Sequence, residues 1–219
     1  MAVLVMDTSG PVSGVALATE ARVWMREGRV GPQVDAVVLV WAQELMAEAG
    51  LSLADLQGVG VASGPGAFTG LRAGLSSVAG VAFARSLPLW SGDGLESRAM
   101  RAWVAGGPPV LAMLDARKGR VYAAAWGSGG ERLWGPEDVE PADVLARMPA
   151  GFVATGEGAV VFAALVAEHG GVLASEPDAA AVEVLARLCL AGLARGEGGA
   201  AVDARPMYLR EPDVRLPQR

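Results

Sequence analysis

The sequence predicts an α/β protein built from two related halves, the second one trimmed. Three observations carry this. The motif apolar strand, Asp, polar turn, apolar strand occurs twice, over Val3–Ala18 and Val110–Trp126. A strand followed by a Gly-x-Gly turn and a helix also occurs twice, over Gly58–Phe68 and Gly151–Val160. The two landmarks recur in the same order, which is the signature of an internal duplication. The interval between them is shorter in the second half, where only Pro141–Met148 offers an intervening helix.

In chain order, Ala2–Met6 is an apolar strand that ends at Asp7, and Thr8–Gly14 is a turn rich in Ser, Gly and Pro. Val15–Ala18 and Val23–Arg26 read as antiparallel return strands. Pro32 suits the first position of a helix running to Ala49, with Gly50 as its stop. Val34, Val37, Val38, Trp41 and Leu45 share one face of it, while Leu39 and Met46 fall on another. Gly58–Gly74 then reads as strand, glycine turn and helix start, with Thr69 as N-cap and the helix extending to Ser86. Small residues at Gly70, Ala73, Gly74, Ser77, Gly80 and Ala84 form a stripe that admits a close neighbour. Ordinary core packing accounts for these two helices, but apolar faces beyond one core's needs also mark a partner surface.

Leu87–Trp90 reads as a strand and Ser91–Trp103 as a helix. Ala105–Pro109 is a Gly/Pro linker, which places one lobe at 1–105 and the second at 106–199. In the second lobe Val160–Glu168 and Asp178–Arg195 read as helices, with Cys189 in the core face of the latter. The proline-punctuated tail Pro206–Pro212 docks as an extended segment, and 200–219 as a whole can lie against the first lobe.

Composition narrows the chemistry. Over 219 residues, 52% are hydrophobic and 19% charged, which fits a folded protein. A net charge of −6, without a basic stripe, argues against direct grip on a nucleic acid backbone. No apolar run reaches the length of a membrane span and no signal peptide is read, so a cytoplasmic protein is expected. One His, His169, and one Cys leave no nitrogen/sulfur metal cluster and no feature supporting a Ser-His-Asp triad. The glycine turn Gly64-Pro65-Gly66 feeding the helix at Thr69, with Asp7 nearby in the first turn, is a phosphate-site outline. A structural turn and an Asp cap explain the same residues. It is not a Walker A loop, because no Gly-Lys-Ser/Thr follows. Arg72, Arg117 and Arg120 are candidates for phosphate or carboxylate contacts.

Four stretches, Met6-Asp7-Thr8-Ser9, Gly64-Pro65-Gly66-Ala67-Phe68-Thr69-Gly70-Leu71-Arg72, Leu114-Asp115-Ala116-Arg117 and Pro206-Met207-Tyr208-Leu209-Arg210, resemble the bacterial TsaB family, also called YeaZ, in the family's order. The resemblance implies two duplicated actin-like, Hsp70-like ATPase lobes. It implies a dimerisation subunit of the machinery that adds a threonylcarbamoyl group to the adenosine next to the tRNA anticodon. Its catalytic partner is then the TsaD paralogue, joined by the ATPase TsaE, with tRNA met only through the complex. Alone, the chain is expected to form a homodimer through the first two long helices. That interface would comprise Val34, Val37, Val38, Trp41, Leu45, Gly70, Leu71, Ala73, Gly74, Ser77 and Val78. Asp7, Gly64, Gly66 and Thr69 would be a vestigial phosphate site. No intrinsic cofactor or metal is expected, and weak ATP or ADP binding only within the complex. Val34 and Val40 stand where many members carry a histidine and a Leu-Leu-Pro-like element. The competing expectation is a stand-alone ATP-dependent enzyme of the same superfamily, resembling a small-molecule kinase.

Overall fold

The computed structural model describes residues 1–210. Two five-stranded mixed sheets form its frame, in the spatial orders β3-β2-β1-β4-β5 and β10-β9-β6-β7-β8. The first comprises β1 (Ala2–Asp7), β2 (Val12–Thr19), β3 (Val23–Arg29), β4 (Gly58–Gly64) and β5 (Leu89–Asp93). The second comprises β6 (Val110–Arg117), β7 (Arg120–Trp126), β8 (Arg132–Val139), β9 (Val153–Thr155) and the two-residue β10 (Val172–Leu173). In each, an antiparallel three-strand meander is extended by parallel strands. The duplicated actin-like plan is thus present, and the second copy is the shorter one.

Helices α1 (Val34–Ala49), α2 (Phe68–Arg85) and α3 (Gly94–Ala102) come from the first half of the chain. The second half supplies α4 (Pro141–Leu145), α5 (Glu157–Val161), α6 (Ala163–Glu168) and α7 (Val182–Ala194). β1 is buried along its whole length because both its faces are covered. Leu4 and Met6 point to a core shared with Val38 and Leu45 of α1 and Val78 of α2. Val3 and Val5, one residue out of phase, meet Val182, Leu185 and Cys189 of α7.

That last contact crosses the linear boundary drawn at 105/106. α7 lies on the first sheet, although the sequence reading placed it in the second lobe. Conversely, Leu95 and Ala99 of α3 share a core with Leu114, Ala124 and Trp126 of the second sheet. Helical periodicity gives a helix an apolar face but does not say which sheet it covers. Glycines in β4 make room for the visitor: a Cβ on Gly60 would come within 2.7 Å of Cys189 Sγ.

Several boundaries shift. α1 begins at Val34 rather than Pro32. α2 is preceded by Ala67 with no side-chain cap, so Thr69 is inside the first turn and is not the N-cap. β5 continues to Asp93, whose carboxylate caps α3 by accepting from Leu95 N. The helix read over Val160–Glu168 is two short helices that meet at Phe162. The last helix starts at Val182 rather than Asp178. The end of the docking tail, Glu211 and Pro212, and the rest of the chain to Arg219 lie outside the described residues.

Candidate interlobe cleft and helix groove

Asp7 closes β1 with its side chain fully buried. Oδ1 accepts a hydrogen bond from the Ser9 N–H at 2.8 Å, the local cap that a turn aspartate makes. Oδ2 is held at 2.7 Å by Nη1 of Arg98, a guanidinium that is itself 1% exposed. The same Nη1 donates to Gly94 O at 2.8 Å, and Arg98 Nε has no hydrogen-bond partner among the described residues. Burial works against a charged Arg98, but Asp7 and then Glu157 outweigh it and hold the guanidinium above its ordinary value.

Glu157 opens α5 from the second lobe and faces the turn after β1: a Cβ on Gly10 would sit 3.2 Å from its Oε1. Burial pushes its carboxyl above the usual range, opposed by Arg98. Two carboxylates therefore flank one guanidinium at the floor of the interlobe space. Sequence reading passed over both Arg98 and Glu157. Arg98 carries no local signal, since its partner lies 91 residues away. Glu157 is the central residue of the second Gly-x-Gly turn, and that position was its only cue.

The glycine loop is locked onto the first turn. Ala67 N–H donates to Ser9 O at 2.8 Å, and Thr8 Oγ1 donates to Gly70 O at 2.7 Å. A side chain on Gly66 would strike Ser9 O, one on Gly70 would strike Thr8 O, and one on Gly74 would strike Thr8 Oγ1. Gly64 has a φ of +139°, and its added Cβ would come within 2.6 Å of Met207 O. These glycines admit the protein's own backbone. A cleft of about 260 Å³ remains between the lobes, walled by Ser9, Gly66, Phe68, Asp115, Ala116 and Glu157 among others. Of the four residues expected at a phosphate, only Gly66 lines it; Asp7 and Gly64 lie behind the wall, and Thr69 faces another groove.

The second half repeats the turn. Asp115 Oδ1 accepts from Arg117 N–H at 2.8 Å, as Asp7 does from Ser9, and Oδ2 pairs with Arg117 Nη1 at 3.0 Å. The remaining candidate arginines are engaged as well. Arg120 pairs with Asp138 at 2.7 Å, and Arg72 Nε donates to Tyr208 Oη at 3.2 Å. His169 ends α6, with Nδ1 3.0 Å from Leu165 O. Among the described residues, no cluster of three or more His, Cys, Asp or Glu is placed to hold a metal ion. Cys189 is buried, and its thiol is pushed up to about 12 by that burial.

The expected partner face divides in two. Val38, Leu45, Leu71 and Val78 are at most 1% exposed, and Gly74 is buried against Thr8, so these five serve the chain's own core. Val34, Val37, Trp41, Gly70, Ala73 and Ser77 are half-buried. Between α1 and α2 runs an open groove of about 530 Å³ lined by Val34, Asp35, Leu39, Thr69, Arg72, Ala73, Ser76 and Ser77. The large apolar residues that do reach the surface on these helices are Leu39, Val40, Phe68 and Phe83, the last 77% exposed. No helix among the described residues is long and apolar enough to cross a membrane.

Comparison with known proteins follows this geometry. The family model described as TsaD, tRNA N6-adenosine threonylcarbamoyltransferase, matches residues 34–188. The tRNA threonylcarbamoyladenosine biosynthesis protein TsaB of Escherichia coli is 31% identical over 141 residues, which is 64% of this chain and 61% of that protein. The Haemophilus influenzae protein of the same name is 30% identical over 131 residues, 56% of this chain and 52% of its own length. The chain thus spans between half and two thirds of the length of these two relatives. The structure of YeaZ from Pseudomonas aeruginosa superposes with a TM-score of 0.79 at 28% identity, covering 95% of this chain and 99% of that one. With more than half of its residues matched by the family model, the chain belongs to the TsaD family, and within it stands with the TsaB/YeaZ proteins.

Proposed function

We propose that the chain is a non-catalytic subunit in tRNA threonylcarbamoyladenosine biosynthesis and acts by docking on a TsaD-type paralogue. The observation that carries this reading is the state of Asp7. Both its oxygens are taken, one by Ser9 N–H and one by Arg98, and the side chain is sealed from solvent. A carboxylate so engaged, buried and absent from the cleft wall presents no oxygen to a metal-bound water or a phosphate in the cleft. The names borne by the relatives support the pathway. The groove between α1 and α2, edged by Leu39, supplies the docking face, and the same face serves a homodimer when the paralogue is absent. A TsaE-type ATPase joins the assembly. tRNA is reached through the complex, in keeping with a net charge of −6.

Co-expression with the TsaD-type paralogue tests this. The expected result is a stable complex on size-exclusion chromatography at micromolar concentration, lost in Leu39→Asp. No complex at that concentration refutes the reading. Calorimetric titration of the purified chain with Mg-ATP is expected to be silent, and a tight signal would favour a stand-alone ATP-dependent enzyme instead.

A further inference from the structure

The segment Met207–Arg210 touches both lobes. Met207 N–H donates to Ser63 O at 2.7 Å at the end of β4, and Met207 O lies over Gly64. The Tyr208 ring stacks on Phe68 with centroids 5.1 Å apart and planes inclined by 27°, while the Arg72 guanidinium lies 4.0 Å from the Phe68 centroid. Two residues on, Arg210 crosses to the second lobe. Nε and Nη2 grip both oxygens of Asp138, at 2.7 and 2.9 Å, and Nη1 donates to Ala116 O at 3.1 Å. Burial would raise the Asp138 carboxyl, but hydrogen bonds from Arg210 and Arg120 hold it below the usual range. Phe68 and Ala116 are both cleft-wall residues, on opposite lobes. One short segment therefore ties the two walls together.

We propose that Met207–Arg210 is a strap that sets the width of the interlobe cleft, and that its release lets the lobes part and opens the cleft towards Glu157. The strap is fastened at one end by an aromatic stack and at the other by a two-pronged ion pair. Neither attachment is deep in a core: Tyr208 is 39% exposed, and the Arg210 side chain is 26% exposed. Besides the strap, the lobes meet through α3, which packs on both sheets, through the Arg132–Asp93 ion pair at 2.8 Å, and where Glu157 faces Gly10. These separate contacts leave the strap to restrain the rim of the cleft.

The test uses the full chain carrying Ala54→Cys on the first lobe and Ala164→Cys on the second, both exposed positions, with spin labels on the pair. Buried Cys189 stays unlabelled. Electron–electron distance measurement is expected to give one narrow distribution in this background. In Tyr208→Ala/Arg210→Ala the distribution should broaden and move to longer distance. An unchanged distribution, with far-UV circular dichroism intact, overturns the proposal. Should the double variant lose its native circular dichroism, Arg210→Gln alone is read in the same way, and an unchanged distribution there is equally fatal.

Discussion

Replacing Arg98 with methionine leaves the Asp7 carboxylate buried with one oxygen stripped of its partner. The volume is roughly kept, so the loss is electrostatic. At an effective dielectric of about 20, unit charges about 4 Å apart attract by about 4 kcal/mol. Removing one member of a buried pair costs about 3–5 kcal/mol in measured cases, because the survivor stays desolvated. The Asp7–Arg98 contact is of this kind, at 2.7 Å with both side chains at most 1% exposed. For a chain of this size each kcal/mol moves Tm by about 2–4 °C, so Arg98→Met should melt roughly 6–20 °C below the parent. Urea unfolding with an unchanged m-value would place the loss in the native state. Asp7→Asn/Arg98→Met removes both charges and should recover much of the deficit. A single variant within about 1 kcal/mol of the parent, the worth of a solvent-exposed pair, would refute the claim that this pair is the sealed centre of the site. A double variant no better than Arg98→Met would refute it too.

Three further outcomes are expected. Gly70→Ala should destabilise by about 1–3 kcal/mol through overpacking against Thr8, beyond the ~1 kcal/mol that alanine gains in helix propensity; a more stable variant in urea titration contradicts the close approach. Glu157 has a raised folded value, so just above 4.5, its ordinary value, the folded chain keeps a proton that the unfolded chain releases. Stability should fall as pH climbs through that window, and Glu157→Gln should flatten the profile and melt higher at neutral pH; parallel Tm-versus-pH curves would contradict this. Finally, Leu39→Asp should leave stability within about 0.5 kcal/mol of the parent, as exposed substitutions do, and abolish paralogue binding. Val78→Asp, which places a charge in the core, should unfold the chain, and a folded Val78→Asp protein would mean the face assignment is inverted.

The strands and the duplication were legible because they are written in local patterns. Ala2–Asp7 is continuously apolar up to its aspartate, and the two Asp turns make the same bond to the N–H two residues on. The glycine loop was legible as a turn, but its glycines were ambiguous, since space for a phosphate and space for backbone call for the same residue. In the structure Met207, Ser9 and Thr8 are the groups that lie against Gly64, Gly66 and Gly70. Arg98 and Glu157 were illegible because their partners come from distant strands and from the other lobe. The groove between α1 and α2 was half legible. Periodicity found the stripe Val34, Val37, Val38, Trp41, Leu45; Val38 and Leu45 turn inward, Val34 stays half-buried on the groove wall, and the exposed large apolar residue lining the groove is Leu39. The tail was read as docking in extended form, and Met207 and Tyr208 do so; that Arg210 reaches the other lobe had no signature in sequence.

The exchange of helices between the halves has a consequence for biosynthesis. The Val3/Val5 side of the first sheet is covered by residues 182–194, distant from it in sequence. During translation that apolar surface stays open until residues 182–194 have left the ribosome. The amino-terminal half cannot finish folding ahead of the rest, as independent domains do. Throughout that interval a bare sheet face is available to chaperones or to another nascent copy.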